Sequence, residues 1–453
     1  MIDIYTPEIW YFLIMLATFV GLASIKIPIS VSLMFSALAG SIAFGEFFPL
    51  RHLVEGGFGY IDTILVIASA MIFMESIKVS GLLETIAGNM TIAFHKKPTF
   101  LLVLLTFFIM IAGMITGSST ATVLTTGAIA FPVLKSLGLS KRRAGSIIAM
   151  SGIYGMIAPP INLPAMIIGQ GVDMPYIGFT TPLLLATFPL AVITTLIIGA
   201  RQVKPVDLEL FKREREHEPV KGFTVYLPLI VMVLLMVQEN ASWGFSLGLP
   251  LIFMISALLA SVTGRRGNIF KISTTAIQNA LGILSILIGV GMFIQIMTMN
   301  GVRGLIVGYL NSLPEGVLLA GIALGIPAFG AVSSYGSASV LGVPFLLAFL
   351  GRNDIVVCSA LSLLAGLGDM VPPTALAGIF AAHVVGEKNY FKIWLSSMPA
   401  FFITMAYAIS MIVWSTTIGN FAKSVFFYPI FAGGLALVAV ALLIIDKRKE
   451  RVV

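Results

Sequence analysis

The sequence predicts an all-α polytopic membrane protein of two inverted repeats, each with a re-entrant hairpin and a discontinuous helix, about eleven crossings plus two hairpins in all. Three observations lead there. Of 453 residues, 58% are hydrophobic and only 10% charged, whereas soluble proteins carry about a quarter charged residues; a water-soluble globule is excluded. Uncharged apolar runs near 20 residues recur, the length that crosses roughly 30 Å of hydrocarbon, without the alternation of barrel strands. Two tokens rich in Gly, Ser and Pro also return in the same order in the second half of the chain.

Clear spans run over 9–25, 27–45, 63–83, 182–200, 223–238, 243–262, 281–300, 394–414 and 426–445. The first begins at Ile9 without a basic leader or a small-residue cleavage site, so it reads as a retained helix. Four further segments are interrupted: 98–134 and 316–350 by Gly and Ser clusters, 144–170 and 355–385 by Pro-Pro pairs. The charged stretch 201–222, containing KREREHE, reads as a cytoplasmic linker between a first repeat over 1–200 and a second over 223–416, with a final helix and basic tail over 417–453. The single cysteine, Cys358, excludes an internal disulfide, and the four scattered histidines lack the spacing of a zinc site.

The repeated tokens are SSTATV (118–123) then GMIAPP (155–160), against YGSASV (335–340) then GDMVPP (368–373). Laying Ala121 on Ala338 gives an offset of 217, and Gly155 on Gly368 an offset of 213. A four-residue deletion reconciles the two, and the ordered pair points to internal duplication.

Charge fixes the threading. If both Gly/Ser segments turn back and the other eleven cross, 22 of the 27 Lys and Arg residues fall on the cytoplasmic side. Only Arg51, Arg303, Arg352 and Lys423 stay outside, with Lys78 at a helix end. The N-terminus is then outside, the C-terminus cytoplasmic, and the halves inverted.

Irregular backbone at membrane depth is tolerated only where buried or lining a wet cavity, so the four breaks are where chemistry is expected. Carbonyls near Gly117 and from Gly155 through Ile157 to Ala158 suit a desolvated cation, with hydroxyls of Ser118, Ser119 and Thr120 beside them. The second half offers Ser333, Ser334, Gly336, Ser337 and Ser339, then Gly368, Asp369, Met370 and Thr374 around Pro372-Pro373. The outgoing helix ends present free amides to a carboxylate; Ser119, Thr120, Thr122, Asn162, Ser337, Ser339 and Thr374 are the candidate substrate contacts. Sodium fits as coupling ion, with a proton as the alternative. Asp369 is the sole acid beside a break, and an ionisable group at the centre of a span costs about 2.5–3.5 kcal/mol on insertion scales; it is a candidate sodium ligand, a proton carrier, or a residue of a wetter layer. Glu75 pairs with Lys78 three residues on. Amphipathic stretches 46–62 and 264–280 read as interfacial arms bracing a fixed scaffold.

The hairpin MITGSSTATVLTTGAIAFPVLKSLGLSKRRAGSIIAMSGIYGMIAPPINLPAMIIGQG and its echo GLGDMVPPTALAG resemble the large membrane subunit of the tripartite ATP-independent periplasmic (TRAP) transporters. The resemblance implies an elevator-type, sodium-coupled importer of organic acids in a bacterial or archaeal inner membrane, working with a small four-helix membrane subunit and an extracytoplasmic substrate-binding protein. It maps sodium roles onto Ser118, Ser119 and Thr120 with Gly155 and Pro159, and onto Ser334, Gly336 and Ser337 with Gly368 and Pro372. The second hairpin, GAVSSYGSASVLGVP, departs from the GMFMD-like segment usual there. A cation/proton antiporter or a standalone anion symporter of the same superfamily is the nearest alternative. A membrane hydrolase lacks a histidine near the serines, a channel is distinguished by its currents, and a scaffold would not need four breaks.

Overall fold

The computed structural model describes residues 6–213, 222–240 and 246–450, and every regular element among them is a helix. Most of KREREHE, and so the middle of the expected linker, lies outside the described residues, as do 241–245 at the start of the expected 243–262 span. Six described helices are long and apolar enough to cross alone, from Pro7–Ser24 to Phe427–Arg448. Others are shorter, such as Ile29–Phe44 and Gly248–Val262, or assembled from two half-helices.

Element order repeats across the chain. In the first half come Pro7–Ser24, Ile29–Phe44, Leu50–Phe58, Ile61–Val79 and Leu82–Phe94. A hairpin follows, with legs Pro98–Thr116 and Ser119 to Ser136, then a broken helix of Lys141–Ile157 and Leu163–Gln170, then Thr180–Gly199. The second half runs Leu227–Asn240, Gly248–Val262, Ile269–Met299, Val302–Ser312, a hairpin of Glu315–Gly330 and Ser334 to Ala348, a broken helix of Asp354–Leu367 and Leu376–Val385, and Phe391–Val413. Ser415–Lys423 and Phe427–Glu450 close the chain.

Three details differ from the sequence reading. The first arm is a separate helix, Leu50–Phe58, bent 43° from Ile61–Val79. The second is continuous with its span in the 31-residue Ile269–Met299, because nothing near Ala280 breaks the ladder and Asn268 caps the start through the Phe270 and Lys271 amides. Short helices Leu82–Phe94 and Val302–Ser312 precede the hairpins where the sequence signalled nothing; each starts after a glycine in left-handed conformation, Gly81 and Gly301.

The repeat register is also revised. Ser118 and Ser333 occupy the same cap, and the wide turns Val123–Gly127 and Ala338–Gly342 follow them, so the tips align at an offset of 215 rather than 217. Gly113 and Gly330, on the incoming legs, keep 217. The four-residue difference therefore falls in two equal steps, one at each side of the tip. Shared small residues had matched Ala121 to Ala338, whereas cap geometry matches it to Gly336.

Both hairpins turn back. The feet of the first bond to one strand of chain, Val206 N–H donating to His95 O at 2.9 Å and Lys204 N–H to Leu137 O at 2.9 Å. The feet of the second are joined by Arg352 Nη2 and Glu315 Oε1 at 2.8 Å. The two pairs of feet lie at opposite ends of Phe391–Val413. Lys141, just past the first foot, donates to Gly386 O at 3.1 Å near the start of that helix, while Arg352 Nη1 donates to Ile412 O at 3.3 Å near its end. Twenty-three residues span about 34 Å, so the hairpins enter the bilayer from opposite faces.

Two bundles result. Pro7–Ser24, Ile29–Phe44, Leu50–Phe58, Ile61–Val79 and Gly248–Val262 gather around Ile269–Met299; hairpins, broken helices, Thr180–Gly199 and Phe391–Val413 form the other. Phe19 stacks on Phe329 between them, and Tyr60 donates to Ile167 O at 3.0 Å.

Inside the second bundle each hairpin crosses its broken helix backbone against backbone. A Cβ on Gly155 would lie 2.7 Å from Met110 O, one on Gly113 2.5 Å from Gly155 C, and one on Gly368 2.4 Å from Gly330 C. Such crossings of small residues are how membrane helices gain close packing. Gly368→Ala and Gly113→Ala should each lower stability by about 1–3 kcal/mol through overpacking, read as a fall in thermal midpoint in detergent. Gly321→Ala, with nothing within 4 Å of the added methyl, should leave the midpoint unchanged or raise it.

Candidate functional site

The first tip is built by local capping. Pro98–Thr116 stops at Gly117, whose φ of +63° is left-handed, and an added Cβ there would meet Leu163 Cδ1 at 2.5 Å. Ser118 then caps the outgoing leg, its hydroxyl accepting from Ala121 N–H at 3.2 Å. Thr122 donates to Ser118 O at 2.7 Å, and Thr126 to Ile109 O at 2.7 Å, which staples the two legs. The second tip repeats the device: Ser333 accepts from Gly336 N–H at 3.0 Å, and Ser337 donates to Ile326 O at 2.6 Å across the legs. Ser339 donates to Gly336 O at 2.9 Å.

In the first broken helix, Lys141–Ile157 ends at Ala158, the Pro159-Pro160 bond is cis, and Asn162 opens Leu163–Gln170. Asn162 is fully buried. Its Oδ1 accepts from Ala165 N–H at 2.9 Å, while Nδ2 donates to Ile157 O at 3.0 Å and to Ser362 Oγ at 2.8 Å. One amide thus caps both half-helices and ties them to the other repeat. The second broken helix passes through a 3-10 turn, Gly368–Met370, and the cis pair Pro372-Pro373; Thr374 donates to Ala331 O at the second tip.

The tips and breaks meet at Asp369. Its side chain is 3% exposed. Ser119 of the first tip donates to its Oδ2, and Ser334 of the second tip stands beside it. Tyr335 completes the junction, its hydroxyl donating to Gly117 O at 3.1 Å. The polar centre is therefore one carboxylate, several hydroxyls and helix-end carbonyls. Oxygen donors of this kind suit a hard alkali cation better than a soft transition metal, and the described residues contain no cluster of three His, Cys, Asp or Glu side chains placed to hold one.

The structure sorts the sequence candidates by position. Ser119, Ser334 and Asp369 converge, with Gly117 and Ser118 beside them through Tyr335. Thr120 and Thr374 stay half-buried on the accessible side. Thr122, Ser337 and Ser339 are buried and donate within their own hairpins, Asn162 braces a break, and Gly155 and Gly368 sit in the backbone crossings. Ile157 O accepts from Asn162; Met370 is buried; Pro159 and Pro372 stand at the cis turns. Gly336 N–H is held by Ser333. Sequence reasoning passed over Tyr335 and Ser362. Tyr335 becomes visible once the 215 offset sets it opposite Thr120; Ser362, in a plain apolar helix, carries no local signal.

Opposed hairpins, broken helices and a shared polar centre define a multi-pass membrane transporter component. Residues 16–418 match the family described as "Tripartite ATP-independent periplasmic transporter, DctM component", and the chain belongs to that family. Among solved structures it resembles the Alcanivorax borkumensis YdaH transporter, described as having an unusual topology, with a TM-score of 0.62 and 13% identity over 90% of this chain and 98% of that one. It also resembles Neisseria gonorrhoeae MtrF, described as illuminating a class of antimetabolite efflux pumps, with a TM-score of 0.58 and 15% identity over 92% and 96%. At such identities the likeness establishes the fold alone. No curated protein sequence matches the chain.

Asn162→Ala should lower stability by about 2–3 kcal/mol, since a helix cap and two buried hydrogen bonds are lost together. Thr120→Val, on the accessible side, should leave it within about 0.5 kcal/mol. Thermal unfolding in one detergent compares the two.

Proposed function

We propose that this chain is the permease subunit of a sodium-coupled importer of a small organic carboxylate, working by elevator movement of the hairpin bundle against the other bundle. The observation that carries the reading is Asp369, buried between the two tips beside serine hydroxyls, with no Lys or Arg among the described residues paired with it. Leaving a charge buried and uncompensated is strongly unfavourable, so the arrangement calls for a cation to complete it. Sodium would draw on Asp369, Ser119, Ser334 and nearby tip carbonyls. A proton on the carboxylate is the alternative. With the cation in place both tips are ordered, and Thr120 and the uncapped outgoing amides present donors to an anion.

Family membership supports the tripartite setting of a small membrane subunit and an extracytoplasmic binding protein, and the distribution of basic residues favours an inner-membrane chain with its N-terminus outside. The bundle arrangement supports elevator movement, because few polar ties link the bundles while the hairpins and broken helices are bonded into one body. The fold shared with MtrF favours one second reading, cation-driven export by the same centre.

Proteoliposomes separate these. A sodium gradient should drive uptake of an organic acid when the partner proteins are supplied. Ser119→Ala should raise the half-saturating sodium concentration about tenfold or more, a hydrogen bond to a charged group contributing about 1.5–3 kcal/mol; Asp369→Asn should abolish sodium dependence. Uptake unchanged by sodium but driven by a pH gradient would transfer the role to a proton, and solute movement only outward would favour export.

A further inference from the structure

At the revised register the two caps align residue by residue, Ser118 with Ser333, Ser119 with Ser334 and Thr120 with Tyr335. Within Ser118–Thr122 and Ser333–Ser337, every hydroxyl side chain is buried except those of Thr120 and Tyr335, which are half-buried. The fold thus leaves one hydroxyl on a half-buried residue of each tip, at the same place in each cap. In one repeat it is carried by a small side chain and in the other by a phenol. The phenol is held in place: Tyr335 donates to the carbonyl of Gly117 at 3.1 Å, at the left-handed turn of the opposite hairpin. A tethered ring loses less side-chain freedom when a solute packs on it than a loose one would.

Resting on the carboxylate reading above, we infer that Tyr335 sets the size limit for the organic anion, its ring occupying the share of the inter-tip space that a threonine-sized residue would leave to the solute. The donors that hold the carboxylate belong to parts common to both tips. Tyr335 supplies the wall that decides how much carbon chain fits behind it. Its hydroxyl is engaged by Gly117, so the wall presents chiefly ring carbon and favours short acids with an apolar end. The accessible breaks, by contrast, offer Thr374 and Pro373, whose side chains are smaller and add little bulk.

The test uses the full-length chain together with its small membrane subunit in lipid nanodiscs, with saturating sodium chloride and a panel of straight-chain mono- and dicarboxylates of two to six carbons, read by calorimetry. The wild type should bind short acids and reject long ones. Tyr335→Thr should bind the rejected acids at least tenfold more tightly, while Tyr335→Phe keeps the original cut-off. Thr120→Tyr, which places the large residue at the equivalent position, should shorten the accepted chain further and keeps the inference testable where Tyr335→Thr fails to fold. A wild type that binds carboxylates in an order unchanged by Tyr335→Thr, or by Thr120→Tyr, overturns the role of Tyr335 alone. A wild type that binds none of the acids overturns the carboxylate reading on which it rests.

Discussion

Burial of the Asp369 carboxylate between two re-entrant tips is the interaction around which the rest of the molecule is arranged. Each tip brings one serine to it, Ser119 from the hairpin rooted at one face and Ser334 from the hairpin rooted at the other. A serine hydroxyl satisfies part of a carboxylate's hydrogen-bonding capacity and none of its charge. An ionisable group inside a membrane protein is costly and is found where it faces the bundle interior or a wet cavity with polar groups around it. The surroundings here are helix ends, the features a lipid-facing structure avoids.

Holding four helix ends together inside a bilayer needs close backbone approach, and glycine supplies it. Gly113 against Gly155 and Gly330 against Gly368 bring each hairpin leg onto its broken helix at the level of the break. Capping satisfies one donor at each of three outgoing helices, with Ser118, Ser333 and Asn162 each accepting from an amide at the helix start. The carbonyls are less fully used. Gly117 O takes a phenol from the other repeat, so the two tips are linked twice, once through the carboxylate and once through Tyr335.

Much of the architecture was legible because membrane solvation is a severe filter. Apolar runs, proline pairs and basic loops located the crossings and the hairpins, and the glycine-serine tokens located the tips. Boundaries failed where no breaker marked them. The join at Ala280 has no signal to separate an arm from a span, and the helices Leu82–Phe94 and Val302–Ser312 hide in stretches whose moderate polarity reads as connector. The repeat register failed for a related reason. Small residues are interchangeable by eye, while the caps at Ser118 and Ser333 are set by which hydroxyl meets which amide.

By itself the sequence determined that the chain lives in a bilayer, that it is duplicated and inverted, and that it is broken at four points; each follows from local solvation and backbone rules that act within a turn or two. Tertiary structure alone decided which breaks meet. The pairing of Ser119 with Asp369, of Asn162 with Ser362 and of Tyr335 with Gly117 joins residues 200 to 250 positions apart. No local rule couples such positions, because their contact depends on how two oppositely rooted hairpins pass one another.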